Sequence, residues 1–178
     1  MLKVLIISDT HGSSSYIDQI LHLCNTQPPD EIWHLGDNYE DTLPFLDAGY
    51  AMERIPGTWD REYQDPFIDN RQHLERLGWR VFITHTPEKD SHDRPEDPDP
   101  QAILNAQNSD VFMHGHTHKP DLYTAKSVTV LNPGHLKQGD NRGYPPSYAW
   151  MTMTPSTCEI EILELGEGSR LHHTRLEK

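Results

Sequence analysis

A chain of 178 residues, 34% hydrophobic and 24% charged, has the size and composition of one globular domain with its own core. It holds no apolar run of about 18 residues, which excludes a membrane-crossing helix, and its two cysteines form neither a CxxC pair nor a disulfide framework. The net charge of −13, from 28 acidic and 15 basic residues, repels phosphate backbones and argues against a standing nucleic-acid partner.

The opening LKVLIIS is a near-continuous apolar run, the pattern of a strand buried on both faces. Asp9 stands where the apolar part of a secretory signal would continue, so a cytoplasmic location is expected. SSSYIDQILHLCN carries Ile17, Ile20, Leu21 and Leu23 at helical spacing behind serine N-cap candidates. EIWHLGD reads as the next buried strand, DTLPFLDA as a short helix and YAMERIPG as a third strand. Strand–helix–strand order implies a βαβ unit with parallel pairing. In RQHLERLGWRVFITH, Gly78-Trp79 separates two strand-like runs, which predicts a hairpin. TPEKDSHDRPEDPDP, residues 86–100, is acidic, proline-rich and aperiodic, and reads as a long mobile loop or lid. QAILNAQN is a short helix, DVFMHG a buried strand, LYTAK and VTVLNPG two more strands, and SYAWMTMT with CEIEILEL a closing hairpin. The tail from Gly166 either adds a last strand or frays. With no linker or repeat, residues 1–178 are expected to form a single domain.

Polar residues follow these strands in a pattern. Asp9 and His11 follow the first strand, Asp37 the second, His85 ends RVFIT, and His116 and His118 follow DVFMHG. Sites in open α/β sheets gather at carboxyl ends, so if these strands share a sheet, six ligand-type side chains converge on one rim. Cys24 and Cys158 lie in apolar-periodic stretches and read as core residues, so a metal here would be held by nitrogen and oxygen. Such a donor set suits Mn²⁺, Fe or catalytic Zn²⁺, with Mn²⁺ the first expectation, and Asp37 has the chemistry to bridge two cations. His114, His22 and His34 read as structural, and Trp33, Trp79 and Trp150 as core residues.

Ser8-Asp9-Thr10-His11-Gly12, Gly36-Asp37-Asn38, Pro56-Gly57 ending in Asp60, Thr84-His85, Gly115-His116-Thr117-His118 and Asn132-Pro133-Gly134 together resemble the calcineurin-like metallophosphoesterases. The nearest branch is that of small YfcE-like phosphodiesterases. The resemblance implies an α/β fold of two mixed β-sheets packed as a sandwich between helices, in four layers α/β/β/α. It implies two divalent cations, one held by Asp9, His11, Asp37 and His118, the other by Asp37, His85 and His116. It further implies hydrolysis of small phosphodiesters or phosphomonoesters by a metal-bridging hydroxide, with a small phosphorylated substrate as partner and no membrane; homo-oligomerisation stays open. The pattern departs at Gly57-Thr58-Trp59-Asp60, where the family has Asn and then commonly His. Thr58 is a poorer ligand for the second cation, and the Trp59 indole cannot exchange a proton near neutral pH. His135, after Asn132-Pro133-Gly134, and His92, in the acidic segment, are the candidates to replace that acid. The alternative is a weak or inactive member that serves as a protein-interaction module, the route taken by a retromer subunit of this fold.

Overall fold

A computed structural model describes all 178 residues. The strand β1 (Leu2–Ile7) pairs in parallel with β2 (Glu31–His34), and β2 with β3 (Ala51–Arg54). Between them lie helix α1 (Ser14–Thr26) and the short α2 (Leu43–Asp47). A second group follows: β4 (Arg71–Arg76), β5 (Trp79–Thr84), α3 (Pro100–Ala106), β6 (Val111–Met113), β7 (Asp121–Ala125) and β8 (Val128–Asn132). The chain then returns to the first sheet through β9 (Ser147–Met153), β10 (Thr157–Glu164) and β11 (Arg170–Glu177). The six-stranded sheet runs β11-β10-β9-β1-β2-β3, and the five-stranded sheet β4-β5-β6-β8-β7.

Alternation along each strand explains the layers. In β1, Val4 and Ile6 enter a 17-residue core that also takes Val81 and Ile83 from β5 and Val111 and Met113 from β6. Leu5 and Ile7 face the other way, onto Ile17, Ile20 and Cys24 of α1 and Phe45 of α2. A strand covered on both sides needs apolar residues at every position, which is why LKVLII does not alternate. The outer face of the second sheet, with Phe82, Phe112 and Val130, is covered by Ile103 and Leu104 of α3. The result is the α/β/β/α sandwich of two mixed sheets that the resemblance implies. No helix is long and apolar enough to cross a membrane.

Four expectations are corrected. The four strands that end in Asp or His do not share a sheet: β1 and β2 lie in one, β5 and β6 in the other, and the rim is the common edge of the sandwich. The hairpin turn is Leu77-Gly78, whose φ values of 51° and 82° give the left-handed pair that a two-residue hairpin requires. Ser13 does not cap α1; its hydroxyl accepts the backbone N–H of Gln138 instead. The segment 86–100 is fastened down. Asp93 takes both oxygens to Arg71 Nη2 at 2.8 and 2.7 Å and accepts the Tyr63 hydroxyl at 2.5 Å. Asp97 accepts Asn70 Nδ2 at 2.7 Å and pairs with Arg94, and Asp99 caps α3, which begins at Pro100. Asp93 and Asp97, which look solvent-seeking in sequence, are buried partners, while Glu88 and Glu96 stay exposed. The tail from Arg170 is a full edge strand.

Candidate metal centre

The strand ends meet at one edge because their turns can touch. A Cβ on Gly57 would stand 1.8 Å from Asp37 Oδ1, and one on Gly115 would stand 2.0 Å from Ser8 Oγ and 2.6 Å from Asp9 Oδ2. Only glycine permits these approaches. Asp60 ties two of the turns together by accepting the backbone N–H groups of Gly57, Asn38 and Tyr39.

Backbone strain is concentrated here. Asp9, His11, Asp37, His116 and His118 have φ of 53°, 47°, 63°, 66° and 60°. Left-handed backbone costs a non-glycine residue on the order of 1–2 kcal/mol. A structure holds that many strained residues in one place when their side chains have a task that unstrained backbone cannot serve.

The side chains form two nests of acceptor atoms. In the first, His11 Nε2 lies 3.0 Å from His118 Nε2 and 3.3 Å from Asp37 Oδ2, while His118 Nε2 lies 3.3 Å from Asp9 Oδ1. The donor atoms of Asp9, His11, Asp37 and His118 all lie within 4.8 Å of one another. In the second, His85 Nε2 lies 3.2 Å from Asp37 Oδ1 and 3.4 Å from His116 Nδ1. Asp37 thus turns one oxygen to each nest. Thr58 is buried beside Gly57 and forms no bond with any of these groups.

The tautomers follow from the outer partners. His85 Nδ1–H donates to the Leu35 carbonyl at 2.8 Å, and His118 Nδ1–H donates to the Asp140 carboxylate at 2.5 Å. In its neutral form each ring therefore offers a bare Nε2 inward. Lone pairs facing lone pairs and carboxylates repel unless a cation lies between them. Asp37 Oδ1 is buried without any hydrogen-bond donor, which marks the same need. Two imidazoles and two carboxylates around one point fit a divalent cation of the Mn²⁺, Fe or Zn²⁺ kind.

The electrostatics agree. Burial alone would raise the Asp9 carboxyl, but the hydrogen bond to His118, with the charges of His85 and His118 and the Ser8 hydroxyl, holds it down at about 2. Burial works to keep His118 neutral, yet its bonds to Asp9 and Asp140 reverse this and raise its pKa. A field that draws a proton to His118 also draws a metal cation. Burial lowers His11 and His116. Two cationic side chains flank the edge: Arg142 donates to the His116 carbonyl at 3.1 Å, and the Lys137 charge acts on His11.

The replacement acids fare differently. His135 is buried and stacks on His118 with ring centres 5.3 Å apart. Its Nε2 meets the Tyr144 carbonyl at 3.2 Å and its Nδ1 accepts the Lys137 N–H at 3.1 Å. With Nε2–H given to that carbonyl and Nδ1 accepting, both nitrogens of His135 are engaged by backbone groups, and in this arrangement the ring backs His118. His92 is held at Nδ1 by Asp90 at 2.7 Å and packs against Trp59. His114 is buried with Nδ1 against the Gly115 carbonyl, a structural group. Sequence reasoning missed Asp140, which sits in QGDNRG with no periodic neighbour to mark it.

The calcineurin-like phosphoesterase superfamily domain matches residues 2–156. A probable metallophosphoesterase of Mycoplasma genitalium is 30% identical over 150 residues, 83% of this chain and 85% of that protein. Among solved structures, YfcE, a phosphoesterase from E. coli, superposes with a TM-score of 0.73 at 19% identity, covering 97% of this chain and 98% of that one. Vps29 of Entamoeba histolytica, solved with zinc, superposes with a TM-score of 0.69 at 19% identity, covering 99% of both chains. At such identities the two structures speak for the fold alone. The match over most of the chain, together with the Mycoplasma relative, places this protein in the calcineurin-like phosphoesterase superfamily.

Proposed function

We propose that this protein is a metal-dependent hydrolase of small phosphodiesters or phosphomonoesters, with Asp9, His11, Asp37 and His118 holding one divalent cation and Asp37, His85 and His116 a second. The observation that carries this reading is Asp37, whose two oxygens face two separate imidazole nests at 3.3 and 3.2 Å. Bound cations of the Mn²⁺, Fe or Zn²⁺ type would acidify a water and neutralise phosphate oxygens.

The chain's own residues set the rest. Leu35 and Asp140 fix the inward nitrogens of His85 and His118. Lys137 and Arg142 add local positive charge in a protein of net charge −13, where a phosphate would otherwise be repelled. No side chain at residue 59 can protonate a leaving group, and His135 is closed off. Acid assistance typically contributes ~10²–10⁴-fold, so leaving groups that depart unprotonated are favoured.

The test is elemental analysis of the purified protein beside a phosphoester panel. Chelation should abolish turnover and Mn²⁺ restore it, with aryl phosphodiesters cleaved well above alkyl ones. Asp37→Asn should loosen both cations, not one. Equal aryl and alkyl rates would refute the missing acid. The interaction-module reading draws on Thr58 and on the second nest, which has three ligands where the first has four. One weakly held metal with no turnover on the panel would favour that reading.

A further inference from the structure

Trp33, Trp79 and Trp150 are core residues at 0%, 2% and 6% exposure, whereas Trp59 is 79% exposed. It stands in the turn whose Gly57 abuts the Asp37 carboxylate, so the indole is at the edge where the strand ends meet. Three backbone N–H groups bonded to Asp60 keep that turn from swinging the ring away. The ring is also backed: His92 packs on it with centres 4.4 Å apart and planes tilted by 59°. His92 is in turn fixed by Asp90 and by Gln64, which donates to its carbonyl. A large apolar ring exposed to water and backed on one side offers a flat face for stacking.

A cleft of about 330 Å³ opens beside this ring, with Asn38, Tyr39 and Arg61 among its walls and His92 outside them. That volume is at the small end of ligand pockets and accommodates a fused ring system. Its charge restricts what enters. Arg61 is engaged by Glu40 at 2.5 Å and Glu62 at 2.7 Å, and Asp60 adds a third carboxylate, so the walls are net acidic. A second anionic group is disfavoured there, while a flat neutral ring with N–H donors is not.

We propose that Trp59, backed by His92, is a stacking platform for a flat, uncharged aromatic group of nucleobase type, carried by the phosphoester whose phosphate meets the strand-end edge. The substrate side of this inference rests on the phosphoesterase reading. Stacking on an aromatic side chain is worth about 1–3 kcal/mol by alanine substitution, or roughly 5- to 150-fold.

Two measurements separate the two ideas. The first compares kcat/KM for adenosine 5′-monophosphate and ribose 5-phosphate in metal-loaded protein. Trp59→Ala should lower the adenosine-to-ribose ratio about tenfold or more, and Trp59→Phe should keep most of it. An unchanged ratio overturns the proposal, as does a loss shared equally by both substrates. The second needs no turnover: adenosine, without phosphate, is titrated into the protein while indole N–H signals are followed by NMR, Trp59 being assigned through Trp59→Phe. Adenosine should shift the Trp59 signal alone and ribose none. A Trp59 shift with no turnover of these two esters or of aryl phosphodiesters keeps the platform and discards the phosphoesterase reading; turnover with an unmoved Trp59 signal discards the platform.

Discussion

His118 is committed at both ends of its ring. Nδ1–H goes to Asp140, and Nε2 faces His11 and Asp9. The Asp140 carboxylate, with a side chain only 3% exposed, fixes the tautomer and raises the basicity of the inward nitrogen. Asp140→Asn keeps an acceptor in place but removes the charge. Its expected effect is a loss of about 10- to 100-fold in affinity for the first cation, measured by chelator competition. Affinity unchanged from the parent protein would reduce Asp140 to a loop contact. The strand-end residues Asp9, His11, Asp37, His85, His116 and His118 were legible in sequence because each follows an apolar run whose end fixes its place. Asp140 was not legible: its partner is near only in space. His135 shows the converse limit. Following a strand located the residue, but its ring turned back to the Tyr144 carbonyl, and no pattern in the sequence encodes that rotation.

The elements show the same division. Strands and helices were readable from periodicity, yet which sheet each strand joins was not, because β4 to β8 pair among themselves through contacts that local pattern does not specify. The acidic segment between β5 and α3 was misread for want of one partner, Arg71 on edge strand β4. The Arg71 and Asp93 side chains are 1% and 7% exposed, and the pair anchors the segment that carries Asp90 and His92. Removing one member of a buried pair costs about 3–5 kcal/mol, because the other charge is stranded. One Arg71 nitrogen, Nη1, already lacks a partner, which offsets part of that gain. Arg71→Met is therefore expected to lose about 3 kcal/mol in urea denaturation, with early proteolysis between β5 and α3. Arg71→Lys should fall between, since it keeps charge but loses the planar fork. A midpoint for Arg71→Met equal to that of the parent would show that the segment holds without this anchor.

For the molecule as a whole, net charge was readable from composition, but the environment of individual histidines depends on burial that only the fold creates. Burial, the dominant effect, pushes His34 down to about 3 and also lowers His11, His114, His116 and His135. These rings are kept neutral in the fold but charge freely, near their ordinary pKa of about 6.5, when the chain unfolds. Below that value the unfolded state binds more protons, so stability falls as pH falls. Asp9, held at about 2, acts in the same direction, because its stabilisation is lost on acidification. Among these histidines His118 alone opposes: raised in the fold, it stabilises below its unfolded pKa and loses that contribution as pH rises through its folded value. The balance predicts a metal-free protein that weakens steadily below about pH 6.5. His34 isolates one share of this slope. It is fully buried, with Nε2 at 3.3 Å from the Thr10 hydroxyl and Nδ1 accepting the Gly36 N–H. A single proton bound only by the unfolded state contributes about 1.4 kcal/mol per pH unit. His34→Asn should lower stability at neutral pH through those lost bonds. Its unfolding free energy should also fall less steeply between about pH 6 and 4, by about 1.4 kcal/mol per pH unit, in chelator-treated protein. Parallel slopes for the variant and its parent would mean that His34 charges in the fold as readily as outside it.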